Sequence, residues 1–242
     1  MNVSIPYSRP DRVVAISAPF EWHATRRFFA VGLVGASLGL VADMLLGWGV
    51  DDESLTGLER MLSSALAMSD ARVFWSSFLG FVGIPLEGIA LFGIYRLLVP
   101  RAPRHARVFR AGVFGYLIFA ACGFHVMYLA WVYYCRQMAK YTPGNALSHS
   151  LRFAEYFLAP GIIATVVALL VLCAAQISAF ARGLTPYPRW CWVFCLPVGM
   201  TAALALVLLG NHALVNALVA AWISIGALWM FGGLLAMSFR RR

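Results

Sequence analysis

The sequence predicts an all-α polytopic membrane protein, folded as one bundle of six transmembrane helices. Of its 242 residues, 62% are hydrophobic and 12% are charged, whereas charged residues make up about 25% of a typical soluble domain. Six apolar stretches could each cross a bilayer core, which takes about 20 helical residues. They cover residues 28–48, 73–99, 110–134, 151–180, 190–210 and 213–238. This pattern excludes a soluble fold.

The basic residues predict how the chain is oriented in the membrane. The net charge is +9, but the arginines flank the apolar stretches and do not form one continuous basic face, so nucleic acid is not an expected partner. Threading six spans places most of the basic residues on one side, including those at 101–110 and 240–242. By the positive-inside rule, both termini are expected in the cytoplasm, and the membrane is expected to be a bacterial inner membrane.

Two segments outside the spans have their own predictions. Residues 1–24 carry charges and prolines and lack the apolar core of a signal peptide, so they are predicted to be a cytoplasmic tail preceding a single transmembrane domain at 25–242. Between the first two spans, apolar residues from Leu58 to Met68 recur at helical spacing. This pattern predicts a short amphipathic helix on the outer face of the membrane.

Three ionisable residues lie deep within the apolar stretches and are the candidate catalytic residues: Asp43, Glu87 and His125. An acidic residue at the centre of a membrane helix costs about 2.5 to 3.5 kcal/mol, so such groups usually face a bundle interior or a wet cavity. Asp43 ends a stripe of small residues that includes Gly35 and Gly39, and Glu87 ends a similar stripe in the second span. Because such stripes let helices approach closely, we expect all three residues to line one cavity.

Further polar and aromatic residues near the outer ends of the spans form a candidate substrate-binding set. Tyr128 shares a helix face with His125, and Asn216 follows His212 by one turn. Trp131 also fits an aromatic belt at the membrane interface, and His212 also fits a surface position near a loop. The predicted set is Glu155, Tyr128, Asn216, His212 and Trp131.

The residues around Glu87 carry a family resemblance. Apolar surroundings favour the protonated form of a carboxyl group, which can then donate a proton. The run Ile84-Pro85-Leu86-Glu87 resembles the Pro-x-Glu motif of membrane-embedded lycopene cyclases and, more loosely, other membrane terpene cyclases. That resemblance implies that Glu87 protonates an isoprenoid double bond and that aromatic residues surround a carbocation. The family commonly has a polar or acidic residue after the Glu, where this chain has Gly88.

Three hypotheses of function follow from these residues. The first is an acid–base enzyme that cyclises or isomerises a hydrophobic substrate, such as an isoprenoid, within the lipid bilayer, with no metal and no cofactor. The second is a proton-coupled transporter of small solutes, for which so small a bundle would need a homodimer. The third is a metal-dependent lipid hydrolase that uses Asp43, His125, Glu155 and His212 as ligands.

Overall fold

The fold is all-α wherever the chain is described. The computed structural model describes residues 20–142 and 146–240, and no strand occurs within these ranges. Five helices there are long and apolar enough to cross a membrane: Trp22–Gly47, Asp70–Leu98, Pro103–Tyr141, Ser148–Ala181 and Trp222–Phe239. The prediction of a helical membrane protein is confirmed at this level. Most of the predicted tail, residues 1–19, lies outside the described residues.

Short segments of π-helix and 3₁₀ helix lie between some of the α-helices. The α-helices are α1 Trp22–Gly47, α2 Gly57–Leu66, α3 Asp70–Leu98, α4 Pro103–Phe119, α5 Met127–Tyr141, α6 Ala146–Phe153, α7 Ala159–Ala181, α8 Leu196–Leu204, α9 Ala213–Ala220 and α10 Trp222–Phe239. A π-helix at Ala120–Val126 joins α4 to α5, and a second at Ala154–Leu158 joins α6 to α7. Two 3₁₀ helices, Arg189–Phe194 and Ala205–Leu209, flank α8.

The stretch predicted as a fifth span is not one continuous helix. Residues 190–210 are divided among the two 3₁₀ helices and α8. Cys195 is extended, and Pro197 lies in the first turn of α8, where a proline can start a helix but cannot continue one. Gly210 then ends the stretch at a φ of 95°. These residues explain why the described chain has five long apolar helices where the hydropathy pattern predicts six.

Helices α1 and α3 pack closely along their small-residue stripes. A Cβ placed on Gly35 would lie 2.7 Å from the carbonyl oxygen of Gly83, and one on Gly83 would lie 2.8 Å from that of Gly35. Both distances are shorter than any real Cβ contact, so only glycine fits at either position. The close approach brings the two acidic residues that follow these stripes, Asp43 and Glu87, into the middle of the bundle.

Arginine side chains join the helix ends at one end of the bundle, here called the arginine-rich end. Arg96 of α3 lies 2.8 Å from the carboxylate of Glu21, which precedes α1. Arg26 of α1 donates to the carbonyl oxygen of Ser238 at 2.6 Å, near the last residue of α10. Cationic donors near a helix C-terminus stabilise its unpaired carbonyl groups. The start of α1 therefore lies beside the ends of α3 and α10.

The opposite end, here called the α2 end, is held by side chains that bind backbone oxygens. The guanidinium of Arg72 donates to the carbonyl oxygens of Leu45 at 2.8 Å and Trp48 at 2.5 Å. The amide of Asn216 donates to the carbonyl oxygen of Gly49 at 2.9 Å. The last turn of α1 is thus capped by a side chain from α3 and tied to α9.

Helix α2 lies across this end of the bundle. Its residues Leu62 and Ala65 are buried, as is Met68 just beyond it, which agrees with the predicted amphipathic pattern; the side chains of Leu58 and Met61 lie outside the described residues. In the preceding loop the Ser54 hydroxyl and backbone N–H donate to Asp52 at 2.7 and 2.9 Å. The hydrogen bonds from Ser54 lower the pKa of Asp52.

The two π-helices meet at a pair of glycines. A Cβ on Gly161 would overlap the carbonyl group of Gly123, so the two backbones touch at this point. Gly123 belongs to the π-helix Ala120–Val126, while Gly161 lies in the first turn of α7, just after the second π-helix. Short π-helices inside longer helices occur frequently at functional sites. Here the first of them carries His125.

Candidate functional site

Asp43 and His125 form a close pair in the interior of the bundle. The Nδ1 atom of His125 lies 3.4 Å from an Asp43 carboxylate oxygen, and the two side chains are 7% (His125) and 15% (Asp43) exposed. The Nε2 atom lies 3.0 Å from the backbone carbonyl oxygen of Ser76. Both ring nitrogens therefore face acceptors, and a protonated imidazole can donate to both at once.

Neighbouring helices fix this pair in position. The hydroxyl of Ser224, in α10, donates to the second Asp43 oxygen at 2.7 Å, and the hydroxyl of Ser76, in α3, donates to the carbonyl oxygen of Ala42 at 2.7 Å. The imidazole of His125 packs so tightly against Gly80 that a Cβ there would overlap the ring. Side chains from α1, α3 and α10 and from the π-helix thus meet at Asp43.

Glu87 is a second acidic centre close to the first. It is 3% exposed, and one of its oxygens accepts a hydrogen bond of 2.6 Å from the Tyr116 hydroxyl. The other oxygen, Oε1, has no hydrogen-bond partner among the described residues. It lies 3.1 Å from the position that a Cβ on Gly39 would occupy. Burying an unpaired polar oxygen is costly, which marks Glu87 as a candidate functional group.

Two neighbouring cavities connect these groups. The smaller has a volume of about 30 Å³, which is room for about one or two water molecules. Its polar lining consists of Asp43, Glu87, Tyr116, His125, Thr165 and Ser224. The larger has a volume of about 400 Å³ and shares Asp43, Phe124, His125 and Ile223 with the smaller one. The Asp43–His125 pair therefore stands between the large pocket and Glu87.

The large pocket lies toward the α2 end and has mostly apolar walls. Its volume falls within the range of about 300 to 1,000 Å³ that is typical of small-molecule sites. Beside the Asp43–His125 pair it is lined by Leu46, Gly47, Asp51, Ser64, Ala65, Phe124, Tyr128, Val207, Asn216, Val219, Ala220, Trp222 and Ile223. An apolar pocket with a few convergent polar groups suits a hydrophobic ligand.

A hydrogen-bonded network surrounds Asp51 at the edge of this pocket. The side-chain oxygen of Asn211 accepts from the Asp51 backbone N–H at 3.1 Å and from the Asn216 amide at 2.8 Å. The Ser64 hydroxyl donates to the Asp51 carboxylate at 2.7 Å. The network joins α2, α9 and the loop after α1.

The predicted site residues fall into two groups. The structure places Asp43, Glu87 and His125 around the small cavity, and Tyr128 and Asn216 in the large pocket. Trp131 is buried away from both cavities, where its indole N–H donates to the carbonyl oxygen of Ser150 at 2.8 Å. Glu155 and His212 are exposed and line neither cavity.

The ligand set of the metal hypothesis does not come together. Asp43 and His125 are adjacent, but Glu155 lies in the second π-helix and His212 immediately precedes α9, both on the surface. Within residues 20–142 and 146–240, no group of three or more His, Cys, Asp or Glu residues is placed to hold a metal ion.

Sequence reasoning missed Tyr116 and Ser224, which contact the two acidic residues. Tyr116 and His125 are nine residues apart, about two and a half turns of α-helix, so a regular α-helix would place them on opposite faces. The intervening π-helix changes this relation, and both side chains line the small cavity. Ser224 is one of two serines in an otherwise apolar helix, and a serine inside a helix commonly bonds to its own backbone.

The fold and this site define a class: a multi-helix membrane protein with an interior acid–imidazole site below a largely apolar pocket. The chain belongs to the DUF6796 family, a family of unknown function whose pattern matches residues 20–241. No curated protein and no solved structure matches it. The function must therefore be inferred from the site itself.

Replacing Tyr116 with Phe is expected to destabilise the protein by about 1 to 3 kcal/mol, because the substitution leaves both buried oxygens of Glu87 unpaired. Thermal unfolding of the purified protein would measure the change. Tyr95→Phe is a matched control, since the described residues give the Tyr95 hydroxyl no hydrogen bond and its ring packs against Phe92. Equal melting temperatures for the two variants would show that the Tyr116–Glu87 bond does not stabilise the fold.

Proposed function

We propose that this protein is a membrane-embedded acid–base enzyme that rearranges a hydrophobic small molecule. The observation that carries the proposal is the order in which three features lie. An apolar pocket of about 400 Å³ has the Asp43–His125 pair at its inner wall, and buried Glu87 lies behind that pair. A ligand in the pocket would meet Asp43 and His125 first. Glu87 would then serve as the source of the proton, acting through the small cavity.

The proposed reaction leaves the number of protons and electrons unchanged. The Asp43–His125 pair donates a proton to one carbon of a substrate double bond, and the π electrons form the new C–H bond. The resulting cation loses a proton from a neighbouring carbon to the Asp43 carboxylate, which yields a shifted double bond or a closed ring. A water in the small cavity can carry a proton between Glu87 Oε1 and Asp43.

The narrower, isoprenoid form of this proposal comes from the Pro-x-Glu resemblance. Pro85 lies inside α3, and Glu87 two residues later points into the bundle with its side chain buried. Phe124, Tyr128 and Trp222 line the large pocket, and aromatic faces can stabilise a carbocation. These features are compatible with an isoprenoid substrate. The proposal in its narrower form is therefore that the substrate is an isoprenoid.

Solvent deuterium tests the reaction while the substrate is still unidentified. Purified protein in lipid nanodiscs is incubated in D₂O with the hydrophobic extract of its native membrane, and the extract is then analysed by mass spectrometry. The proposal expects one compound to gain carbon-bound deuterium with the wild-type protein. The gain should be lost with Asp43→Asn. Equal labelling in empty nanodiscs would refute the enzyme proposal.

Proton-coupled transport is the second candidate, and one observation favours it. Beyond Glu87, toward the arginine-rich end, the next cavity has a volume of only about 10 Å³; apart from Glu87 and Tyr116, the residues that line it are apolar and include Leu172 and Phe231. The ionisable groups thus lie between a large pocket on one side and a tightly packed, largely apolar region on the other. This is the arrangement of a carrier accessible from one side. Proton movement into proteoliposomes, driven by a solute gradient, would support transport.

Six membrane crossings, with both termini in the cytoplasm, complete the proposal. The 3₁₀ and α-helical segments from Arg189 to Leu209 would form the crossing that lacks a long helix, because Arg189 follows α7 and Asn211 contacts Asp51 at the α2 end. The basic residues cluster at the arginine-rich end, which the positive-inside rule assigns to the cytoplasm.

Cysteine labelling checks this orientation. In a cysteine-free background, Ser54→Cys is expected to react with a membrane-impermeant maleimide on intact cells, because Ser54 is exposed at the α2 end. Arg104→Cys, exposed at the arginine-rich end, is expected to react only after the cells are permeabilised. The reverse pattern would invert the proposed topology.

A further inference from the structure

The charges that line the large pocket indicate what kind of ligand it binds. Its ionisable lining groups are the carboxylates of Asp43 and Asp51, the imidazole of His125 and the phenol of Tyr128, with no Lys or Arg among them. The charge of a protonated His125 would be balanced by Asp43, which lies 3.4 Å away. Asp51 has no ion pair among the described residues. The pocket therefore carries an excess of negative charge.

The apolar part of the lining contains three aromatic rings. Phe124, Tyr128 and Trp222 line the same pocket as the two carboxylates. The faces of aromatic rings attract cations, most strongly where water is excluded. The remaining walls are aliphatic and include Leu46 and Val219. Carboxylates together with aromatic and aliphatic walls suit a molecule that is both apolar and positively charged.

A third carboxyl group lies just behind the pocket. Glu87 is 3% exposed, and its Oε1 atom has no partner among the described residues. It faces the small cavity that shares Asp43 and His125 with the large pocket. Attraction between charges is much stronger in such a low-dielectric interior than in water. Glu87 adds to the negative potential that a bound ligand would experience only after it has given up its proton.

We propose that the large pocket binds a small hydrophobic organic cation, with a tertiary amine, quaternary ammonium or phosphonium centre near Asp51 and Asp43. This inference rests on the proposed function only in placing the ligand in the same pocket. It assigns a positive charge, which the isoprenoid form of the proposed function does not require, to the substrate of the enzyme or to the cargo of the transporter. It requires no particular reaction.

Two ions of the same size and opposite charge test the proposal directly. Binding of radiolabelled tetraphenylphosphonium and, in separate samples, of radiolabelled tetraphenylborate is measured on wild-type protein in nanodiscs of zwitterionic phosphatidylcholine, with empty nanodiscs as the background. We expect saturable binding of one phosphonium ion per chain and no saturable binding of the borate. Dodecyltrimethylammonium, a cation of different shape, is expected to compete. Failure of both cations to bind, or equal binding of the borate, would overturn the proposal.

Variants locate the binding site. Asp51→Asn is expected to weaken phosphonium binding by about tenfold or more, since it removes a partly desolvated charge partner. Trp222→Leu, which removes an aromatic face, is expected to weaken it several-fold. Asp70→Asn is the matched control, because the Asp70 carboxylate is 75% exposed, pairs with Arg136 and lies outside the pocket. Equal affinities for all three variants would refute the location.

The phosphonium-binding experiment and the deuterium experiment can fail independently of each other. Phosphonium binding without any deuterium incorporation would retain the cation site and reject the enzyme. Deuterium incorporation without cation binding would retain the enzyme and reject the charge assigned to its substrate.

Discussion

Glu87→Gln is expected to lower the rate of deuterium incorporation by about 10² to 10⁴-fold, the usual contribution of a general acid. The amide keeps the size of the side chain, and its oxygen can still accept the hydrogen bond from Tyr116. It has no acidic proton to pass to Asp43 through the small cavity. The loss should therefore appear in the rate, while the protein remains folded.

Glu155→Gln is the matched control for this experiment. Glu155 is an intramembrane glutamate by sequence, but its side chain is exposed and lines neither cavity. Its substitution is expected to leave both the rate and the melting temperature unchanged. Full activity of Glu87→Gln, with stability intact, would remove Glu87 from the proton path and favour the transporter hypothesis.

Among Gly→Ala substitutions, Gly161→Ala is expected to produce the largest loss of stability. The added methyl group would overlap the carbonyl group of Gly123, and both atoms belong to backbones that cannot rotate away. Overpacking in a well-packed interior typically costs about 1 to 3 kcal/mol and occasionally more. Because the strain falls on the π-helix that carries His125, ligand binding should decrease as well. Thermal unfolding in detergent would measure the first effect.

Gly232→Ala makes the same chemical change in an open position. The nearest atom to a Cβ on Gly232 is a methyl carbon of Leu33 at 3.7 Å, an ordinary contact distance. Alanine favours a helix over glycine by about 1 kcal/mol, so this variant is expected to be as stable as the wild type or slightly more so. Equal destabilisation of both variants would show that the close approach at Gly161 is not the cause.

Regular periodicity predicts much of the site. The small-residue spacing of α1 and α3 predicts which faces of these helices meet, and with them the inward direction of Asp43 and Glu87. The pairing of His125 with Asp43 could not be predicted, because it depends on where the π-helix before α5 lies relative to α1. No periodic pattern within one helix contains that information.

The predictions that differ from the structure do so for separate physical reasons. A hydropathy pattern measures length and apolarity, and residues 190–210 have both, yet Cys195 and Pro197 interrupt the helix there. The depth of Glu155 along the chain predicts a place in the candidate site, but depth does not determine direction. In the structure its side chain is directed away from both cavities.

Because of the π-helix at Ala120–Val126, the geometry of the site depends on the number of residues in this segment as well as on their identity. Tyr116, one turn before it, binds Glu87, while His125, within it, binds Asp43. Deleting one residue between them would leave every one of these side chains in the protein. It would nevertheless turn the following helix by about 100° relative to the preceding one, so the two acidic centres could no longer both keep their partners.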